Sequence, residues 1–311
     1  MGIFEIDLCQ EALIGSFTKE IKPLLTVNSG DTLRFQTLDA GWGTGISNRE
    51  REKPFKRRAN IDSGHALIGP IYINHAKPGM TLEIQLNDMI PGPYGYTSAG
   101  QYPNWQNEKL KLTEYNEITL DWKLDKITMS GSCEWNGRTF SVALRPFMGV
   151  IGMPPEEKGI FSTWPPRLCG GNLDCKDLIK GSSLFLPIPI EGGYLAIGDG
   201  HALQGDGEVS GQAIECPMEL IDVTLYLRED IQLTTPRANT PSGWITFGFH
   251  EDLNDASVQA IDGMLTLMNE LYGLTRVEAM AFGSAVIDLK ITQIVNGVKG
   301  VQACLPHGAL R

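Results

Sequence analysis

Apolar residues alternate with polar ones along most of this chain, and a helical period appears in only one region. Leu33, Phe35 and Thr37 alternate, as do Leu82, Ile84 and Leu86, then Ile118, Leu120, Trp122 and Leu124. The pattern returns at Ile221, Val223, Leu225 and Leu227, and again at Ile287, Leu289 and Ile291. A period of two puts every second side chain on one face, which is the mark of a half-buried strand. Pro78-Gly79, Asn136-Gly137 and Asn296-Gly297 supply turns, the Asn-Gly pairs suiting a type I′ hairpin. A helix is predicted only near the C-terminus. Asp255 is expected to cap it, Val258, Ile261, Met264, Leu265, Met268 and Leu271 to give its apolar face, and Gly273 to stop it. Thr275 and Glu278 then form a T-x-x-E capping box for a shorter helix ending at Gly283. Many strands without a βαβ alternation predict a mainly β, antiparallel protein with a small α+β portion.

Two segments read as irregular. Pro91 to Trp105 is rich in Gly, Pro and Tyr and is expected to be a long loop, at a pocket rim or a subunit contact. Arg145 to Gly171 carries Pro146, Pro154, Pro155, Pro165 and Pro166. The organisation expected is a β core over residues 1–220 that carries the functional loops. An α+β portion over 221–311, with helices near 255–272 and 276–282, would complete it.

Charge and cysteine content limit the partners. A formal charge of −11 disfavours a general affinity for nucleic acid or an anionic membrane. The basic run Arg49–Arg58 is interrupted by acids and reads as a solvated loop. Six cysteines, none in a C-x-x-C pair, together with the lack of a secretory signal or transmembrane stretch, lead to a cytoplasmic expectation.

The stretch Gly170 to Glu215 concentrates the polar chemistry. An apolar run, Ser183–Ile190, meets a second, Tyr194–Ile197, across Gly192-Gly193, which predicts a hairpin. Beyond it lie Asp199, His201, Asp206 and Glu208 among small residues. In extended chain Asp199 and His201 share a face, as do Asp206 and Glu208. Asp or Asn beside Gly is also ordinary turn chemistry.

The segments GGNLD (with Asn172 and Asp174) and GDGHALQGDGE resemble the acetamidase/formamidase family, as do RPFMGVIGMPP (Arg145–Pro155), GPIYINHAKPGMTLEI (Gly69–Ile84) and TLDAGWG (Thr37–Gly43). The resemblance implies a β-sandwich of jelly-roll type, a homo-oligomer, and hydrolysis of a small amide, formamide or acetamide, to its carboxylate and ammonia. Such hydrolysis needs activated water, a stabilised oxyanion and a proton for the leaving nitrogen. Imidazole with several carboxylates suits Zn²⁺ or a similar divalent metal. Asp199, His201 and Asp206 are the expected ligands, with His65 a further candidate. Asp206 and Glu208 are the candidate acid/base groups, and Asn172, Asp174 and Asp39 the candidate substrate contacts. Cys169 and Cys175, which bracket the GGNLD segment, offer a nucleophilic alternative; hydrolysis of another linear C–N substrate, urea-like or a longer amide, is a second, and a non-catalytic protein holding metal or a small ligand in the same loop a third.

Overall fold

A computed structural model describes residues 1–44 and 52–311. Gly45 of the glycine-rich stretch after Asp39 and Arg49–Arg51 of the basic run lie outside the described residues. Of that run, Arg57 stands over the Trp42 ring at 5.3 Å, and Arg58 pairs with the buried Asp62 at 2.8 Å.

The chain is mainly β, in three sheets. The largest has nine strands in the order Ile3–Ile6, Thr32–Phe35, Met218–Arg228, Thr81–Pro91, Ser183–Pro187, Arg237–Thr240, Gly243–His250, Lys299–Pro306, Asp288–Gln293. A four-stranded sheet runs Arg138–Ala143, Ser130–Trp135, Ile118–Asp125, Tyr94–Ala99. The seven-stranded sheet runs Pro166–Arg167, Gly170–Asn172, Phe147–Gly152, Leu195–His201, Leu67–Ile73, Leu13–Ile14, with Leu25–Val27 pairing in parallel to Leu67–Ile73.

This corrects the jelly-roll sandwich. Among the described residues no sheet closes on itself, and the two ends of the chain extend one open sheet in opposite directions. The first strand adds in parallel beside Thr32–Phe35, and the C-terminal strands lengthen the other edge rather than folding over it.

Two local expectations also change. Both central residues of the Gly192-Gly193 turn have positive φ (77° and 67°), a conformation glycine reaches without steric cost. Yet the strands on either side do not pair with each other. Ser183–Pro187 pairs with Thr81–Pro91 and Arg237–Thr240, whereas Leu195–His201 pairs with Phe147–Gly152 and Leu67–Ile73. The turn therefore carries the chain between sheets, as does Pro78-Gly79 between Leu67–Ile73 and Thr81–Pro91. Second, the expected loop from Pro91 contains the strand Tyr94–Ala99, whose partner is Ile118–Asp125.

The late helices form where predicted, with one rotated face. Asp252, not Asp255, caps the helix Leu253–Tyr272, and Gly273 ends it in the left-handed conformation at φ 70°. Val258 (63% exposed) and Leu271 (41%) face outward, while Ala256, Ala260, Met264, Leu265, Leu267 and Met268 are buried. The cause is the closeness of the helix to the strand Gly243–His250. A Cβ on Gly248 would lie 1.9 Å from the Ala256 carbonyl oxygen, so only small residues fit that contact. The Thr275–Glu278 capping box is present at the start of the helix Arg276–Val286.

Candidate functional site

The seven-stranded sheet assembles the polar cluster from three neighbouring strands. Phe147–Gly152 lies between Gly170–Asn172 and Leu195–His201, in registers that set Val150 opposite Asn172 and Phe147 opposite His201. Asp199 and His201 belong to the strand itself rather than to a loop after it. Asp174 lies two residues after Asn172, its backbone N–H reaching the Gly149 carbonyl. Glu215 enters by bridging to both His201 and Tyr96, which ties the four-stranded sheet to the site. Glu208 is delivered by a loop pinned at Gly207, whose N–H donates to the Ile291 carbonyl at 2.8 Å.

Asp174, Asp199, His201, Glu208 and Glu215 are all buried, as is Asn172. Asp174, Asp199 and His201 can bring one ligand atom each to within 4.8 Å of one another, and so can His201, Glu208 and Glu215. His201 Nε2 lies 3.4 Å from both Asp199 Oδ1 and Glu215 Oε2, longer than the roughly 2.7–2.9 Å of a charge-assisted hydrogen bond. One oxygen on each of Asp174, Asp199, Glu208, Glu215 and Asn172 is buried without a hydrogen-bond partner among the described residues. Such groups are costly and call for an occupant. The backbone is also strained there. Asp174, Asp199 and Glu208 have φ of 45°, 64° and 47°, a conformation that costs a non-glycine residue roughly 1–3 kcal/mol.

Gly149 keeps the space above the cluster open. A Cβ there would stand 2.4 Å from Asp199 Oδ2 and 2.8 Å from Asp174 Oδ1. Gln204 sets the imidazole. Its Nε2 donates to the carbonyls of Asp174 and Thr292, so its Oε1 accepts from His201 Nδ1 at 2.9 Å. The His201 Nδ1 therefore holds a proton, and in the neutral ring Nε2 presents its lone pair to the carboxylates.

Electrostatics follow from burial and crowding. Burial, with Asp199 and Glu215 close by, pushes Asp174 well above the usual carboxylate range despite the pull of His201. Burial and then Asp174 do the same to Glu208, and burial with Asp199 raises Glu215 less strongly. Asp199 goes the other way, because His201 and His65 outweigh its burial. His201 is raised well above its ordinary value because Glu215 and Asp199 overcome the cost of burying its charge. The donor set of one imidazole and four carboxylates, with partnerless oxygens and a cleared space, fits a divalent cation.

The other sequence-derived candidates fall in different places. His65 is buried on the wall of the adjoining cavity, with Nδ1 2.8 Å from Thr163 Oγ1 and its ring 4.5 Å from Trp164. Asn172 lines the same cavity. Asp39 is buried and accepts from the Gly43 N–H at 2.9 Å, while its neighbours Ala40 and Gly41 form part of the cavity wall. Asp206 is set apart from the cluster, with its side chain 34% exposed and paired to Lys176 at 2.8 Å. The Cys169 thiol donates to the Met153 carbonyl and is pushed by burial up to about 11; Cys175, bonded to Gln302, is raised well above its ordinary value by burial. Both are thus held as thiols rather than thiolates. Sequence reasoning missed Glu215 and Gly149. The signal for Glu215 is an acid set directly between Ile214 and Cys216, both buried.

The cavity beside the cluster has a volume of about 250 Å³, and Asp199, Glu208, Glu215, His65 and Asn172 all reach it. No helix among the described residues is long and apolar enough to cross a membrane.

Comparison with known proteins places the chain in a family. A profile described as the acetamidase/formamidase family matches residues 9–164 and 157–307. An acetamidase from Mycolicibacterium smegmatis is 50% identical over 244 residues, a match covering 61% of this chain and 60% of that protein. A formamidase from Methylophilus methylotrophus is 50% identical over 237 residues, covering 61% of this chain and 58% of that one. The match thus spans less than two thirds of the length of these curated relatives. A crystal structure of an acetamidase from Bacillus halodurans superposes with a TM-score of 0.82 at 28% identity, covering 97% of both chains.

Proposed function

The chain belongs to the acetamidase/formamidase family, and on that premise we propose that it hydrolyses a small aliphatic amide to its carboxylate and ammonia. The observation that carries this reading is the buried set of partnerless oxygens around His201, opening on a cavity with Glu208 and Asn172 in its wall. Asp174, Asp199, His201 and Glu215 would hold a divalent cation, with Zn²⁺ the first candidate for an imidazole-carboxylate set. Such a cation supplies polarisation of the amide carbonyl and a lowered pKa for water.

The remaining work falls to the chain's own groups. Asn172 Oδ1 accepts from the substrate NH₂ and so orients the amide plane in the cavity. Glu208, buried and with its carboxyl pKa raised, removes a proton from the attacking water and returns it to nitrogen as the C–N bond breaks. The water oxygen becomes the second oxygen on the acyl carbon, ammonia leaves, and the acid so formed passes its remaining proton to ammonia, giving carboxylate and ammonium. His65, in the wall of the same cavity, donates to the developing oxyanion. Asp39 holds the turn that forms the Ala40–Gly41 wall and acts by shape rather than contact. Asp206 takes no part in this assignment.

We further infer a cytoplasmic setting from the six free cysteines, a homo-oligomer from the family, and, within the chain, an α+β portion over residues 221–311 that completes the β core. The test is ammonia release from formamide and acetamide by the wild type and Glu208→Gln. The reading expects turnover in the wild type and a loss of about 10²–10⁴-fold in kcat for the variant with its fold intact. Equal turnover in both would remove Glu208 from the chemistry.

A further inference from the structure

A second chamber opens directly outside the cluster cavity. Its volume is about 520 Å³, twice the 250 Å³ of the inner one, and Trp164, Gly211, Gln212 and Asn296 border both. Acetamide has four heavy atoms and displaces about as much space as three or four waters, roughly 90–120 Å³ at ~30 Å³ each. The inner cavity alone therefore holds it with room to spare, and the outer chamber has no part in binding it.

The wall between the chambers is built from fixed side chains. Asn296 Nδ2 donates to Asp174 Oδ2 at 3.0 Å, so one face of this residue belongs to the cluster and another to the outer chamber. Gln212 Oε1 accepts from the Ser98 N–H at 2.7 Å, which leaves its NH₂ to donate elsewhere. Trp164 leans on His65 and offers an aromatic surface, and Tyr102 stands exposed at the mouth. Asn107 adds a further amide to the lining. Among the described residues lining this chamber, Glu117 is the sole charged side chain, and there is no lysine or arginine.

We propose that the outer chamber is a tail subsite: the enzyme takes uncharged primary amides whose acyl group is longer or more planar than acetyl. This rests on the amidohydrolase reading and specifies its substrate class. The carboxamide enters the inner cavity, while the tail passes between Trp164 and Gln212 and packs against the aromatic faces. An anionic tail would meet Glu117 with no lysine or arginine among the described lining residues to offset it, so carboxylate-ended amides are rejected.

The experiment measures kcat/KM for acetamide, hexanamide, phenylacetamide and adipamate (a carboxylate-ended amide as long as hexanamide) with the wild type and Tyr102→Ala. The expected result is a value at least tenfold higher for hexanamide and phenylacetamide than for acetamide, with adipamate at least tenfold below hexanamide. Tyr102→Ala, a change at an exposed side chain, is expected to lower the phenylacetamide-to-acetamide ratio at least fivefold. Ammonia from acetamide with no gain for the longer amides overturns the tail subsite and leaves the amidohydrolase reading standing. No ammonia from any of the four amides overturns both.

Discussion

The protein buries carboxylates in two contrasting ways. Asp62 is saturated with donors: the N–H of Gly15, the N–H of Arg58, and Nε and Nη2 of the Arg58 guanidinium, at 2.7 to 2.9 Å. The cluster of Asp174, Asp199, Glu208 and Glu215 is starved, with one oxygen on each lacking a donor among the described residues and a single imidazole between them. Burial is common to both, so it cannot be what separates a structural acid from a functional one. The donor count separates them. Asp62 closes a loop against the strand Leu13–Ile14, and its charge is used up by the protein. The cluster keeps its charge unspent, at a cost in stability, and directs it into a cavity.

That contrast can be broken from the structural side first. Asp62→Ala should destabilise the fold by about 3 kcal/mol, since it strands the Gly15 N–H and removes the partner of Arg58. A denaturant midpoint checks this, and the folded fraction should keep its turnover. The same site predicts a pH dependence. Burial alone would raise the Asp62 pKa, but Arg58 and the two backbone donors bring it below its ordinary value of 3.8. A depressed carboxylate gives its full stabilisation above the unfolded value and loses it as pH falls through the folded one. The acid limb of the wild-type stability curve should therefore include a component below pH 3.8 that Asp62→Ala lacks.

From the functional side, Gly149→Ala should have the opposite profile. Its Cβ would enter the space between Asp199 and Asp174, displacing groups by enough to cost about 10²-fold in kcat/KM, with a smaller effect on stability. Stability loss without activity loss would mean that the space has no role in the chemistry. The smallest effect should come from Asp206→Asn. Its pairing with Lys176 is partly exposed, and such a pair contributes about 0–1 kcal/mol. Turnover close to wild type would confirm that Asp206 stands outside the site, and a loss comparable to that of Glu208→Gln would restore it.

Much of the fold was legible where the information is local. The alternating strands, the Asn136-Gly137 hairpin (φ 50° and 73°) and the Thr275 capping box all lie within a few residues of their own sequence signals. Strand partnership is not local. Two apolar runs around Gly192-Gly193 look like a hairpin, and only the competing partners Thr81–Pro91 and Phe147–Gly152 send them to different sheets. The site divides on the same line. Asp199 and His201 share a face because two-residue spacing in a strand requires it. Asp206 and Glu208 have the same spacing but lie beyond the strand, where the loop pinned at Gly207 turns one inward and leaves the other with Lys176. Glu215 and Gly149 reach the cluster through tertiary pairing, which alternation does not report.

The most direct test of the starved cluster is the metal content of the purified protein, measured together with ammonia release before and after chelation. The account predicts divalent metal bound at the cluster, turnover abolished by chelation, and both restored by adding the ion back. Full turnover by metal-free protein would contradict it, leaving the carboxylates and His201 to act on the amide directly.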